Sequence, residues 1–84
     1  MENTRERVEH EVKDLLTERF NVPEERITPE AHLFDDLGLD SVDLMSAVAV
    51  LEERHDLSVS DEHLQDMLVV KGIVDRVTAL VEQR

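Results

Sequence analysis

The sequence predicts an all-α domain, a small four-helix bundle with three longer helices and a short third one. Three observations carry this prediction. Apolar side chains recur at helical spacing over about 3–20, 41–54 and 70–82, and a shorter capped segment fits about 60–67. Phe20 and Phe34 are the only aromatic residues, so the core must be built from Val, Leu, Ile, Met and Ala. No run insists on being a strand. A chain of 84 residues can bury one modest core, so 1–84 reads as a single domain. Hydrophobic residues at 40% and charged residues at 36% permit a folded core beneath a heavily charged surface.

Taken in order, Asn3 followed by Glu6 suits a capped helix start, after which Val8, Val12, Leu15 and Leu16 recur until Phe20. Arg5, Glu9, Lys13 and Glu18 occupy the other, solvated face. From Asn21 to Asp40 the period fails, and Pro23, Pro29 and Gly38 break a connection of about twenty residues. An ordered loop is expected, with Thr28 before Pro29 opening a short helical turn and Ile27, Leu33, Phe34, Leu37 and Leu39 pinning it to the core.

The second helix winds its apolar residues into two stripes at about 100° per residue. Leu44, Ala47, Val48 and Leu51 form one, and Val42, Met45 and Ala49 form another on nearly the opposite side. A helix with one buried face has no use for the second stripe, so another helix, a docking partner or a bound apolar chain must cover it. Ser60 is a good N-cap for the third helix, with Asp61 and Glu62 at its positive end. Val70, Ile73, Val74, Val77, Leu80 and Val81 mark the fourth, although Val69 has no capping side chain and Gly72 weakens the first turn.

Composition removes several function classes. The net charge of −12 repels nucleic acid and anionic membranes and attracts surfaces bearing Lys and Arg. Cysteine is absent, so any thiol chemistry requires a cofactor. No apolar stretch near the N-terminus suggests a signal peptide or a membrane span, and a cytoplasmic monomer is the expectation. An EF-hand started at Asp36 would put Ser41 at the required glycine and Ala47 at the required glutamate. Gly38-Leu39-Asp40-Ser41-Val42 lacks the spacing of a nucleophile elbow. His10, His32, His55 and His63 form no metal-ligand pair and read as surface or capping residues.

The chemically informative stretch is Asp35-Asp36-Leu37-Gly38-Leu39-Asp40-Ser41-Val42-Asp43-Leu44, an acidic, glycine-broken loop that delivers a serine to a helix start. Free backbone N–H groups and the macrodipole at such a terminus favour a phosphate esterified to Ser41. Taken alone, Ser41 or Asp40 would be read as a helix cap. The setting changes that reading. Asp36-Leu37-Gly38-Leu39-Asp40-Ser41-Val42-Asp43 resembles the signature of the acyl carrier protein family, and the resemblance extends to Glu6-Arg7-Val8, Leu51-Glu52-Glu53, Asp61-Glu62 and Val74-Asp75.

The resemblance implies a four-helix carrier fold in which a phosphopantetheinyl transferase uses coenzyme A to load Ser41 with 4'-phosphopantetheine. It implies a non-catalytic protein that holds acyl groups as thioesters. The implied partners are acyltransferases or ligases, ketosynthases and other acyl-processing enzymes with basic docking surfaces. Asp36, Asp40, Val42, Asp43, Met45, Ala49 and Glu52 form the expected recognition face.

Residues 30–66 hold eleven acids against the single base Arg54, placing −10 of the −12 net charge around Ser41. Steering toward basic partners follows. The expected setting is fatty-acid, polyketide or related specialised acyl biosynthesis. Ser46, Ala47, Arg54 and His55 depart from the residues common in fatty-acid carriers, which fits a carrier tuned to a dedicated partner, such as one in polyketide or other specialised acyl metabolism. The alternatives are a peptidyl or aminoacyl carrier and an unmodified acidic helical adaptor.

Overall fold

In the computed structural model, residues 3–83 are described, and they form helices joined by loops with no β-strand among them. Helix α1 spans Thr4–Phe20, α2 Ser41–His55, α3 Asp61–Leu64 and α4 Val70–Glu82. The segment expected to be one helix over 60–67 is a single α-turn followed by a 3-10 turn at Gln65–Met67, and the Ser60 hydroxyl makes no capping bond. Met67 is the reason to tighten there: the 3-10 turn swings its side chain into the core, where it is fully buried.

Helix α1 begins as its sequence suggests, the Asn3 side chain accepting from the Glu6 N–H at 2.8 Å. It ends on Asn21 in the left-handed region (φ 57°), with the N–H groups of Asn21 and Val22 both donating to the Leu16 carbonyl. Val8, Val12, Leu15 and Leu16 are buried, and α1 packs chiefly on α4 and less on α2. The Arg5–Asp75 ion pair at 2.6 Å joins α1 to α4 at the surface. Between α1 and α2, the His55 ring meets the Glu11 carboxylate at 2.5 Å with both side chains mostly buried. His55 is therefore a helix-bridging residue rather than the surface or capping histidine expected.

The long connection is ordered, but its helical turn is not where Thr28-Pro29 suggested. A 3-10 turn occupies Glu24–Arg26, and Thr28–Ala31 is a reverse turn closed by the Ala31 N–H on the Thr28 carbonyl. The more consequential turn lies at 33–37. Leu33 and Leu37 are buried, while Ile27, Phe34 and Leu39 pack partly buried against the core, as the apolar spacing requires.

The start of α4 lacks a capping side chain because the loop supplies the partners from outside. The Val70 N–H donates to the Ala31 carbonyl and the Lys71 N–H to the Pro29 carbonyl, satisfying two of the helix's free donors. In return the Leu33 N–H donates to the Leu68 carbonyl at 2.8 Å, and His32 and Val69 form an isolated antiparallel bridge. The segment that leads to Ser41 is thus locked to α4, about thirty residues further along the chain.

Candidate functional site

The site is built from a capped single turn, a glycine and a second cap. His32 caps the turn 33–37: its Nδ1 accepts from the N–H groups of Phe34 (3.1 Å) and Asp35 (3.2 Å). Its carbonyl accepts from Asp36 and Leu37, and its own N–H donates to Asp36 Oδ2 at 2.7 Å. Gly38 stops the turn at φ +72°, a conformation costly for residues with a Cβ. The Leu39 N–H then returns to the Leu33 carbonyl at 2.9 Å, and the chain arrives extended at Asp40.

Asp40 is the N-cap of α2. Its Oδ1 accepts from the Asp43 N–H at 2.9 Å while Asp43 Oδ2 accepts from the Asp40 N–H at 3.1 Å, a reciprocal capping box with Asp at the third position. This decides the status of Ser41. The capping duty falls to Asp40, so the serine at the first helical position keeps a hydroxyl that makes no hydrogen bond among the described residues. Ser41 is exposed, and among the described residues no base is bonded to it. The hydroxyl is presented, not activated.

Beside it, α2 buries Leu44, Ala47, Val48 and Leu51. The second stripe stays outside: Val42 is 70% and Met45 56% exposed, and Ala49 is exposed with them. Among the described residues no helix covers it.

Four acids expected on the recognition face have a structural task as well. Asp36, Asp40, Asp43 and Glu52 each give one carboxylate oxygen to a backbone N–H, Glu52 by holding the Val59 N–H at 2.8 Å across the loop after α2. Sequence reasoning missed this role, although Asp at the third helical position after an Asp cap is a readable capping signal. Glu52 is half-buried by the bond it makes, which leaves Glu53 and Asp56 as the outward acids at that end of α2.

A family model described as the phosphopantetheine attachment site matches residues 10–77. Among solved structures, the chain resembles one reported for the acyl carrier protein from Enterococcus faecalis, described for its high thermal stability. The two are 28% identical, with a TM-score of 0.79 over 93% of this chain and 99% of that one. The chain belongs to the acyl carrier protein family. Its cofactor is accordingly 4'-phosphopantetheine, and its role is that of a carrier.

The donor set fits such a group: the carrier exposes a hydroxyl at a helix start, where the N–H groups of Ser41 and Val42 are not used by the capping box. Among the described residues no helix is long and apolar enough to cross a membrane. No group of three or more His, Cys, Asp or Glu among them could hold a metal ion.

Proposed function

We propose that Ser41 is the attachment residue and that the whole chain is one discrete, cytoplasmic carrier domain, itself non-catalytic. The observation that carries the assignment is the division of labour at the start of α2. Asp40 caps, Asp43 closes the box, and Ser41 is left exposed with an uncommitted hydroxyl. In the loading step the Ser41 oxygen attacks the pyrophosphate of coenzyme A. A phosphodiester to Ser41 forms, the adenosine bisphosphate leaves, and the hydroxyl proton passes to a base on the transferase, since no base among the described residues is bonded to Ser41. When bound, the arm supplies the thiol that a chain without cysteine lacks and holds acyl groups as thioesters.

The exposed stripe of Val42, Met45 and Ala49, edged by the free oxygens of Asp36, Asp40 and Asp43, is the face that acyl-processing enzymes read. Its mixture of apolar contact and acidic rim suits a transient interface with a basic partner. Ser46 on the flank of the stripe and exposed Arg54 at the end of α2 support a partner set outside general fatty-acid synthesis, in polyketide or other specialised acyl metabolism.

Incubation with coenzyme A and a broad-specificity phosphopantetheinyl transferase should raise the intact mass by one phosphopantetheine. Ser41→Ala should abolish the gain while keeping the helical circular dichroism spectrum. Folded wild-type protein that gains no mass would return the chain to the adaptor reading.

A further inference from the structure

We infer that His32 is a positioning residue whose protonation state sets the order of the loop that presents Ser41, so that loading competence falls as the ring becomes charged. The inference rests on the assignment of Ser41 above. A side chain that caps a helical turn must accept hydrogen bonds, and most caps are hydroxyls, amides or carboxylates. Here the acceptor is an imidazole nitrogen. His32 Nδ1 accepts from the N–H groups of both Phe34 and Asp35, which requires the neutral ring with its proton on Nε2. An imidazolium has no lone pair at Nδ1, so protonation removes both bonds and turns an N–H toward two other N–H groups.

The charged ring has another partner within reach. Asp35 Oδ2 lies 3.9 Å from the same Nδ1, and the His32 side chain is about one-third exposed, so a small rotation would convert the cap into an ion pair with Asp35. Other charged groups do not supply that alternative. Asp36, on the same turn, is already engaged by the His32 N–H. The segment bridged to His32 brings Leu68, Val69 and Val70, and its nearest ionisable residues are Asp66, which holds Arg76, and Lys71. Phe34 meets the ring edge-on at 5.6 Å between centroids.

The loss would be felt at Ser41 because the turn carries the chain from the His32–Val69 bridge to the cap at Asp40. The Gly38 N–H donates to the Phe34 carbonyl and the Leu39 N–H to the Leu33 carbonyl. Releasing the Phe34 and Asp35 donors loosens Phe34, whose carbonyl holds the Gly38 N–H, and with it the approach to Asp40.

Two measurements test this. In the first, amide resonances of Phe34, Asp35, Gly38 and Ser41 are followed by NMR between about pH 8 and about pH 5, in wild type and in His32→Asn, which keeps an acceptor that does not titrate. The wild-type amides should move along one titration curve shared with the His32 ring, and the variant's should not. In the second, wild type and His32→Asn compete for one transferase, so that the enzyme's own pH dependence cancels. The wild-type share of loading should fall by roughly threefold or more across that range. Amides that do not follow the His32 ring, or a loading ratio that is flat with pH, would overturn the inference. Absence of loading in both proteins at every pH would instead overturn the assignment of Ser41, with the NMR result still deciding the role of His32.

Discussion

A Cβ on Gly72 would lie 1.8 Å from the carbonyl oxygen of Asp66, whereas one on Gly38 would meet nothing within 4 Å. The two glycines are therefore needed for different reasons. At Gly72 the backbone of the 3-10 turn passes directly over α4, so Gly72→Ala must push α4 away from the Asp66–Met67 segment. The expected loss is roughly 1–3 kcal/mol of stability, despite the better helix propensity of Ala. At Gly38 only the positive φ is at stake, and Gly38→Ala should cost about 1 kcal/mol while disturbing the presentation of Ser41. Thermal unfolding ranks the two: each kcal/mol should lower the melting temperature by roughly 4–8 °C in a domain of this size. A Gly38 variant melting below the Gly72 variant would contradict the collision seen at Asp66. Asp40→Ala removes the cap of α2 and should cost about 1 kcal/mol.

At the scale of the element, α2 buries one apolar stripe and exposes another, and substitution can separate what each does. Leu44 is buried with Leu51 against the core, so Leu44→Ala should destabilise by roughly 2–5 kcal/mol. Met45, one residue on and 56% exposed, touches little, so Met45→Gln should change stability by less than about 0.5 kcal/mol. If the outer stripe is the docking face, the same change should weaken transferase or partner association severalfold, measured as kcat/KM for loading. Unchanged kinetics for Met45→Gln together with Val42→Ser would remove the stripe from the recognition face. The two stripes were legible from the period alone. Which of them the bundle covers was not, because a sequence shows that a helix is apolar on two sides without showing how many neighbours it has.

Across the whole molecule, charge is concentrated around Ser41. With −10 of the net −12 lying between residues 30 and 66, the field around Ser41 is strongly negative over distances that ordinary salt screens, about 10 Å at 0.1 M and about 3 Å at 1 M. The association rate with a basic transferase should fall by roughly tenfold or more between low salt and about 1 M. Over the same range the melting temperature should rise, because self-repulsion is relieved. A loading rate insensitive to ionic strength would mean that docking does not depend on the acidic surround.

The sequence by itself determined the helical class, the three long helices, the cap at Asn3, the anchoring of the loop by Leu33 and Leu37, and the acidic serine-bearing motif. All of these rest on local spacing and on side-chain chemistry within a few residues. Tertiary structure decided the rest. It placed the turn that leads to Ser41 at 33–37 instead of Thr28-Pro29, because His32 acts as an unusual cap and the bridge to Val69 fixes it. It capped α4 with the carbonyls of Ala31 and Pro29, a device invisible to a search for capping side chains, since the partners lie about forty residues away along the chain. Met67 tightened the end of the third helix by entering the core, and the Glu11 contact drew His55 into the seam between α1 and α2. Apart from the His32 cap, which bonds residues two and three positions on, each of these is a contact between distant segments, whose registry depends on how the helices pack and not on any local pattern.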